Sequence, residues 1–145
     1  MVALTKDRST KQRIGDERIG AIAATGLIFA GALLMRNAAG FVLPGATATG
    51  MVGIGRAEEQ IDNSAGADGD ASVRFMGGIY RYANSAAADE IASANIGDLA
   101  YIVDDQTVAL TNGTGTRSAA GTIHDVDTLG VWVRFDEALT RAATA

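Results

Sequence analysis

The sequence predicts a mainly β protein: a small β-barrel or sandwich with one short helix at about residues 86–93 and an extended N-terminal arm. The 18 glycines and single proline in 145 residues suit short strands and tight turns better than long helices. Short apolar segments alternate with turn residues along most of the chain. The most strand-like segment, residues 72–83, has two aromatic-rich alternating halves on either side of Gly77-Gly78. The other predicted strands are expected to pack against this segment.

The Gly77-Gly78 pair is compatible with two arrangements of residues 72–83. A two-residue hairpin turn would place Arg74 directly opposite Arg81, and like charges across a ladder are unfavourable. We therefore predict one long strand that bends at a glycine bulge and continues. Such a strand can belong to both sheets of a barrel or sandwich.

The length is that of one domain, and the charge divides it into parts. We predict a flexible arm over residues 1–18, a β domain over 19–136 and a C-terminal tail over 137–145, weakly helical and mobile. Residues 1–18 carry five basic and three acidic side chains, a net of +2, which leaves −7 for the remainder because the chain totals −5. An acidic body argues against nucleic-acid binding by the folded part. The absence of cysteine excludes disulfides and thiolate ligands.

Residues 19–35 form the segment that most resembles a membrane span. They are uncharged, but about 17 residues is the lower limit for a span, and three glycines interrupt them. A signal peptide would have a shorter charged lead-in. We predict two strands here, about 19–24 and 31–36, and no membrane partner.

Turn signals divide the remaining chain into further strands. Gly53 and Gly55 indicate a strand that packs closely against a neighbour, and Asn112-Gly113 is a strong hairpin signal. Asn84 or Ser85 is expected to cap the short helix. The predicted strands of the second half cover residues 99–103, 107–111, 119–126 and 130–135. In the last of these, Val131, Val133 and Phe135 should share one face.

No segment of the sequence has the residue spacing of a metal-binding or cofactor-binding motif. Asp62, Asp68 and Asp70 lie in an acidic loop, but the EF-hand pattern fails because Ala67 replaces its glycine and no glutamate closes the loop. A solvated connection between strands is the better interpretation. We expect no metal and no cofactor.

The candidate catalytic residues are equally sparse. His124 is the only histidine, and no nucleophile motif accompanies it. The acidic pairs Asp104/Asp105 and Asp125/Asp127 are explained by turns. The tyrosines lack the clustered basic residues of a single-strand nucleic-acid binder and are interpreted as core or interface aromatics; they are Tyr80, Tyr82 and Tyr101. We expect no catalytic residues and no enzyme activity.

Several short motifs resemble those of a known family. Ser72-Val-Arg-Phe-Met-Gly-Gly-Ile-Tyr-Arg-Tyr-Ala precedes an alanine-rich turn and Ile96-Gly-Asp-Leu-Ala-Tyr-Ile-Val-Asp-Asp. A Thr/Asn/Gly segment, Ala120-Gly-Thr-Ile and Gly130-Val-Trp-Val follow. Over residues 19–135, this pattern resembles the capsid cement, or head decoration, proteins of tailed bacteriophages.

The resemblance implies a non-enzymatic structural protein on the outer surface of the phage head, made in the bacterial host cytoplasm. Such proteins clamp neighbouring major capsid subunits, usually as homotrimers. The arm would then contact the capsid, and its candidate contact residues are Lys6, Arg8, Lys11, Arg13 and Arg18. The competing interpretation is a virion-borne β module that binds glycans or the host surface, and an enzyme comes third.

Overall fold

The computed structural model describes residues 2–13 and 15–145 and confirms the prediction of a mainly β fold, here a sandwich of two five-stranded sheets. One α-helix and two single-turn 3₁₀ helices accompany the strands in the described residues. The elements are β1 (Glu17–Ala21), β2 (Leu27–Ile28), β3 (Leu33–Arg36), β4 (Val42–Pro44), β5 (Val52–Ala57), β6 (Ile61–Asp62), β7 (Ser72–Met76), β8 (Gly78–Tyr82), β9 (Leu99–Ile102), β10 (Val108–Ala109), β11 (Ala119–Asp127), β12 (Gly130–Phe135) and α1 (Glu137–Thr144).

Each large sheet is antiparallel throughout and curls so that its two edge strands meet at one end. Sheet 1 has the order β1-β7-β5-β3-β4, and sheet 2 has the order β10-β9-β11-β12-β8. A bridge between Ile22 and Val42 joins the ends of sheet 1, and a bridge between Ala83 and Thr107 joins those of sheet 2. The pair β2-β6 forms a third, small sheet.

The predicted long bent strand is confirmed. β7 lies in sheet 1 and β8 in sheet 2, with Gly77 between them. Gly78 has φ +132°, a conformation that side-chain-bearing residues rarely adopt. Arg74 and Arg81 consequently lie in different sheets, as the argument from like charges required.

Two hydrophobic cores form because the strands of sheet 1 are buried on both faces. Along β3, Leu33 and Met35 contribute to the core shared with sheet 2, whereas Leu34 faces a second core around Phe75. The predicted face of β12 is confirmed, since Val131, Val133 and Phe135 are buried in the first core. Other buried residues of this core include Ile91, Ile102 and Ile123.

The glycines of β5 allow the close packing that the sequence predicted. A Cβ on Gly53 would lie 2.0 Å from the carbonyl oxygen of Ala120, and one on Gly55 would lie 2.1 Å from that of Met76. These distances are far below van der Waals contact, so β5 can approach β11 and the β7–β8 bend only with glycine at these positions.

The short helix predicted at about 86–93 is corrected to two 3₁₀ turns, Ala87–Asp89 and Ser93–Asn95. The two residues that were expected to cap this helix, Asn84 and Ser85, make other hydrogen bonds. The Asn84 side chain exchanges hydrogen bonds with the backbone of Ile91, and the Ser85 hydroxyl donates to the carbonyl of Val108. These hydrogen bonds keep the segment from forming an α-helix despite its alanines.

The hairpin expected at Asn112-Gly113 is also wrong. β10 and β11 flank β9 on opposite sides, so the chain between them crosses the end of β9 instead of reversing tightly. Asn112 still organises a turn, because its carbonyl accepts from Thr116 and Arg117 and its side chain accepts from Gly115.

The apolar segment 19–35 forms strands and turns. β1 ends at Ala21, β2 follows at Leu27, and β3 begins at Leu33. In the described part of the chain, no helix has the length and apolarity to cross a membrane.

Candidate functional site

Four of the five candidate contact residues lie ahead of the first strand. Lys6, Arg8, Lys11 and Arg13 are exposed, and residues 2–13 adopt no helix or strand. Met1 and Ile14, which also belong to the predicted arm, lie outside the described residues. The described chain ahead of β1 therefore presents its four basic side chains to solvent.

Arg18, the fifth candidate, has a different environment because β1 begins within the predicted arm, at Glu17. Its guanidinium lies 3.0 Å from Glu137 Oε1 and 5.2 Å from the centroid of the Phe75 ring. A cation over an aromatic face is attracted by the ring quadrupole. Arg18 thus fastens the root of the arm to the body.

Glu137 is the centre of this attachment. Arg36 Nε donates to its Oε2 at 2.8 Å, and Arg36 also stacks on Phe75, at 5.9 Å. Burial alone would raise the pKa of Glu137, but the hydrogen bonds from Arg36 and Arg18 outweigh it and hold that pKa below its ordinary value. We call Glu137, Arg18 and Arg36 the Glu137 cluster; it ties β1, β3 and α1 together.

Helix α1 places Glu137 at this position, which the sequence analysis did not single out as a functional residue. Asp136 caps the helix by accepting from the backbone of Leu139 at 3.0 Å. The helix packs against β5 and β11 and buries Thr140. The helical character expected for the tail is confirmed, and the Asp-Glu pair at its start was the local signal of a capped helix.

A cleft lies where the arm joins the body. It encloses about 510 Å³, and we call it the arm cleft. Gly15 and Asp16 line it from the arm, and Gly78 and Ile79 line it from the start of β8. Ile79 is 41% exposed, and β8 is hydrogen-bonded to β12 on one side only. The arm therefore begins beside an open sheet edge.

A second, smaller cleft lies further along β8 and encloses about 270 Å³. Arg56 stacks on the Tyr80 ring at 4.2 Å, and Arg81 lies 5.4 Å from the centroid of Trp132. The Tyr82 hydroxyl donates to the carbonyl of Gly31, and burial raises the pKa of Tyr82. We call this surface the aromatic cleft; its lining residues are Gly31, Arg56, Tyr80, Arg81, Tyr82 and Trp132.

The tyrosines do not form one continuous surface. Tyr80 and Tyr82 lie on β8, whereas Tyr101 lies on β9, with β11 and β12 between them. Tyr82 is 7% exposed and belongs to the core, and the other two are half-buried. The interpretation of Tyr82 as a core aromatic is therefore confirmed.

The acidic candidates accept hydrogen bonds from backbone amides, all but one of them within a few residues in the chain. Asp62, Asp68 and Asp70 accept from the amides of Ser64, Ala24 and Ala67. Asp104 accepts from Gln106 and Asp125 from Val126, and Asp127 accepts from Leu129, Gly130 and the Trp132 indole. The short-range bonds account for the other aspartates as turn residues, whereas Asp68 ties its loop to Ala24, 44 residues away in the chain.

The remaining candidates are not brought together. His124 is exposed on β11, at an irregularity in its pairing with β12. Within residues 2–13 and 15–145, no three His, Asp or Glu side chains are grouped as metal ligands would be. The arm with its cleft and the aromatic cleft are therefore the two candidate sites.

A scan against protein-family models, a search of curated proteins and a search of solved structures gave no match to this chain.

Proposed function

We propose that this chain is a structural, non-catalytic virion protein that binds the outside of a phage head and stabilises contacts between major capsid subunits. The observation that carries the proposal is the arm, whose four basic residues ahead of β1 are exposed and lie outside regular secondary structure. The resemblance of residues 19–135 to capsid cement proteins supports it. An extended basic segment on a compact acidic body suits a protein that attaches to an ordered surface.

The motifs that carry the resemblance occupy neighbouring strands. The segment 72–83 is the bent β7–β8 strand, and the segment 96–105 contains β9. The segments 120–123 and 130–133 lie in β11 and β12. The segments that carry the resemblance thus make up most of sheet 2.

The arm supplies a physical mechanism for attachment. An extended segment can add a strand to an exposed sheet edge of a shell subunit, with backbone hydrogen bonds providing affinity. Its lysines and arginines would pair with carboxylates at the rim and mainly accelerate docking. Ordering the arm has an entropic cost, which several arms of a homotrimer offset through effective concentration. The ion pairs of the Glu137 cluster would keep the start of β1 attached to the body when the arm is bound.

Co-sedimentation with expanded heads that lack this protein tests the proposal. The full chain should bind saturably, and a variant lacking residues 2–15 should not. This deletion retains Arg18 and all of β1, so the body remains intact. Equal binding of the two forms would remove the arm from the account, and failure of both would refute attachment to the head.

A matched variant separates the contribution of the basic side chains from that of the arm backbone. Gln substituted for Lys6, Arg8, Lys11 and Arg13 keeps the length and the backbone donors of the arm. We expect this variant to bind with weakened affinity, whereas the deletion abolishes binding. Full affinity of the variant would show that the basic residues have no part in attachment.

The aromatic cleft favours glycan binding as the second candidate. Sugar rings stack on aromatic side chains, and the arginines beside Tyr80 and Trp132 would select anionic sugars. Calorimetric titration with neutral and anionic oligosaccharides tests it. Binding that is lost in Trp132→Ala and retained in the arm deletion would establish this function; absence of heat with every sugar would refute it.

A further inference from the structure

β8 leaves one side unpaired although the two ends of its curled sheet meet. The bridge between Ala83 and Thr107 covers only the C-terminal end of β8. From Gly78 to Arg81 the strand has a neighbour on the β12 side alone. An open edge presents unpaired amides and carbonyls to which another strand can add. We call this stretch the β8 edge.

The arm cleft and the aromatic cleft both open onto the β8 edge. Successive side chains of a strand point to opposite faces of its sheet. Nevertheless, Tyr80, Arg81 and Tyr82 all line the aromatic cleft, and Gly78 and Ile79 both line the arm cleft. Consecutive residues share a cleft in this way where it runs along the edge of their strand. The two clefts therefore follow one another along the unpaired backbone and leave room for a short extended segment.

The outer face of sheet 2 beside this edge has the composition of a binding surface. It consists of side chains that point away from the first core, namely Ile79, Arg81, Trp132 and Arg134. Ile79 is largely accessible, and Arg81 lies 5.4 Å from the centroid of the Trp132 ring. Tryptophan and arginine are enriched among the residues that dominate binding energy in protein interfaces. A strand added to β8 would extend this face, with alternate side chains beside Ile79 and Arg81.

Arg81 determines the chemistry that a partner needs. Its guanidinium lies 3.9 Å from the Asp127 carboxylate, which is too far for a hydrogen bond. The Asp127 oxygens already accept from amides of their own turn and from the Trp132 indole. Arg56 differs, because it donates to Glu58 at 2.8 Å. The Arg81 side chain, which is 40% exposed, therefore retains donors for a carboxylate from another molecule.

We infer that the β8 edge binds an extended segment of another protein that places a carboxylate beside Arg81 and an apolar side chain beside Ile79. The segment adds to β8 as a sixth strand of sheet 2, so its backbone supplies affinity and these two side chains supply specificity. The two side chains are two residues apart, as Ile79 and Arg81 are on β8. This site depends neither on the arm nor on the proposed attachment to a phage head.

Fluorescence anisotropy with a labelled synthetic peptide tests this inference. The probe is Thr-Val-Thr-Glu-Thr-Val-Thr, whose symmetry places glutamate beside Arg81 and valine beside Ile79 in either strand direction. The full chain should bind it saturably. The peptide with lysine in place of glutamate should bind at least about tenfold more weakly, because like charges would then face each other. Equal affinity for the two peptides, or binding of neither, would overturn the inference.

A charge exchange shows whether Arg81 itself contacts the peptide. Arg81→Glu should reverse the preference, so that the lysine peptide binds and the glutamate peptide does not. Arg141→Glu, at an exposed arginine of α1 that lines neither cleft, should keep the original preference. The chain lacking residues 2–15 should bind the glutamate peptide as the full chain does. Loss of binding in that deletion would place the peptide on the basic arm and contradict the inference.

Hydrogen exchange of the β8 amides locates the bound peptide without any substitution. Because β8 pairs with β12 alone, alternate amides bond this neighbour and the others point outward. The outward set should exchange fast in the free chain and at least about tenfold more slowly with saturating glutamate peptide. Slow exchange of every β8 amide in the free chain would mean that the edge is already covered. That result, or peptide binding without added protection, would rule out the site.

Discussion

Glu137 is the residue on which the attachment of the arm to the body depends. Its carboxylate receives hydrogen bonds from Arg18 and Arg36, and its side chain is 15% exposed. Glu137→Gln should lower the free energy of unfolding by about 1–3 kcal/mol, since charged hydrogen bonds are lost in a poorly solvated site. Urea denaturation measures this. Glu17→Gln is the control, because the Glu17–Arg74 pair is about half exposed, is screened by solvent and should change the stability far less.

The pH dependence of the same variant has a definite sign. The pKa of Glu137 is lower in the folded protein than its ordinary value of 4.5, so the ionised form is favoured by folding. Its stabilisation is fully present above the unfolded pKa and is lost as pH falls through the folded pKa. The difference in unfolding free energy between the unmodified chain and Glu137→Gln should therefore shrink below pH 4.5. A difference that is constant from pH 7 to pH 3 would contradict this assignment.

At Thr140, in contrast to Glu137, a substitution is expected to raise the free energy of unfolding. It is 1% exposed, and its hydroxyl oxygen has no hydrogen-bond partner among the described residues. A buried unpaired hydroxyl costs about 1–3 kcal/mol, and valine has nearly the same shape. Thr140→Val should raise the free energy of unfolding by about 1 kcal/mol in urea denaturation. Thr140→Ser, which keeps the hydroxyl and loses a methyl group, should be destabilising.

At the scale of elements, the crossing of β5 over β11 sets the distance between the two sheets. A methyl group at Gly53 would collide with the backbone of Ala120, and backbone cannot rotate away as a side chain can. Gly53→Ala should cost about 1–3 kcal/mol. Gly97→Ala has open space around the new methyl and should cost only about 1 kcal/mol, from its positive φ. Equal melting temperatures of the two variants would show that the sheets can separate.

The elements that the sequence predicted correctly are those with a local signal. The alternation of Val131, Val133 and Phe135 identified the buried face of β12, and the charges of Arg74 and Arg81 excluded the hairpin. The helix predicted at about residues 86–93 was wrong because helix propensity reflects only interactions within a few residues along the chain. In this segment Ala87 has φ +54°, and the Asn84 side chain is hydrogen-bonded to the backbone of Ile91. Neither feature can be predicted from helix propensity.

The candidate site was only half predictable for the same reason. Exposure of the basic residues from Lys6 to Arg13 follows from composition. The position of Arg18 does not, because its partner Glu137 is 119 residues away in the chain. Pairings of that separation depend on the completed topology, so the Glu137 cluster became visible only with the fold.

At the scale of the whole molecule, the separation of a basic arm from an acidic body makes a prediction about the rate of head binding. Opposite charges steer an encounter over about one Debye length, roughly 8 Å at physiological ionic strength. If the arm binds rim carboxylates of the shell, raising salt from about 0.01 M to 1 M should slow association by about tenfold or more. The dissociation rate should change far less, because it depends on the strand pairing formed after contact.

The variant with glutamine at Lys6, Arg8, Lys11 and Arg13 isolates the source of that effect. It retains the whole body, including the Arg18 attachment, so any steering by the body persists. Association of this variant with heads, followed by light scattering, should be slow at low salt and nearly independent of ionic strength. A salt dependence equal to that of the unmodified chain would place the steering charges on the body instead. The arm would then act through its backbone alone, and the proposed role of its lysines and arginines would have to be abandoned.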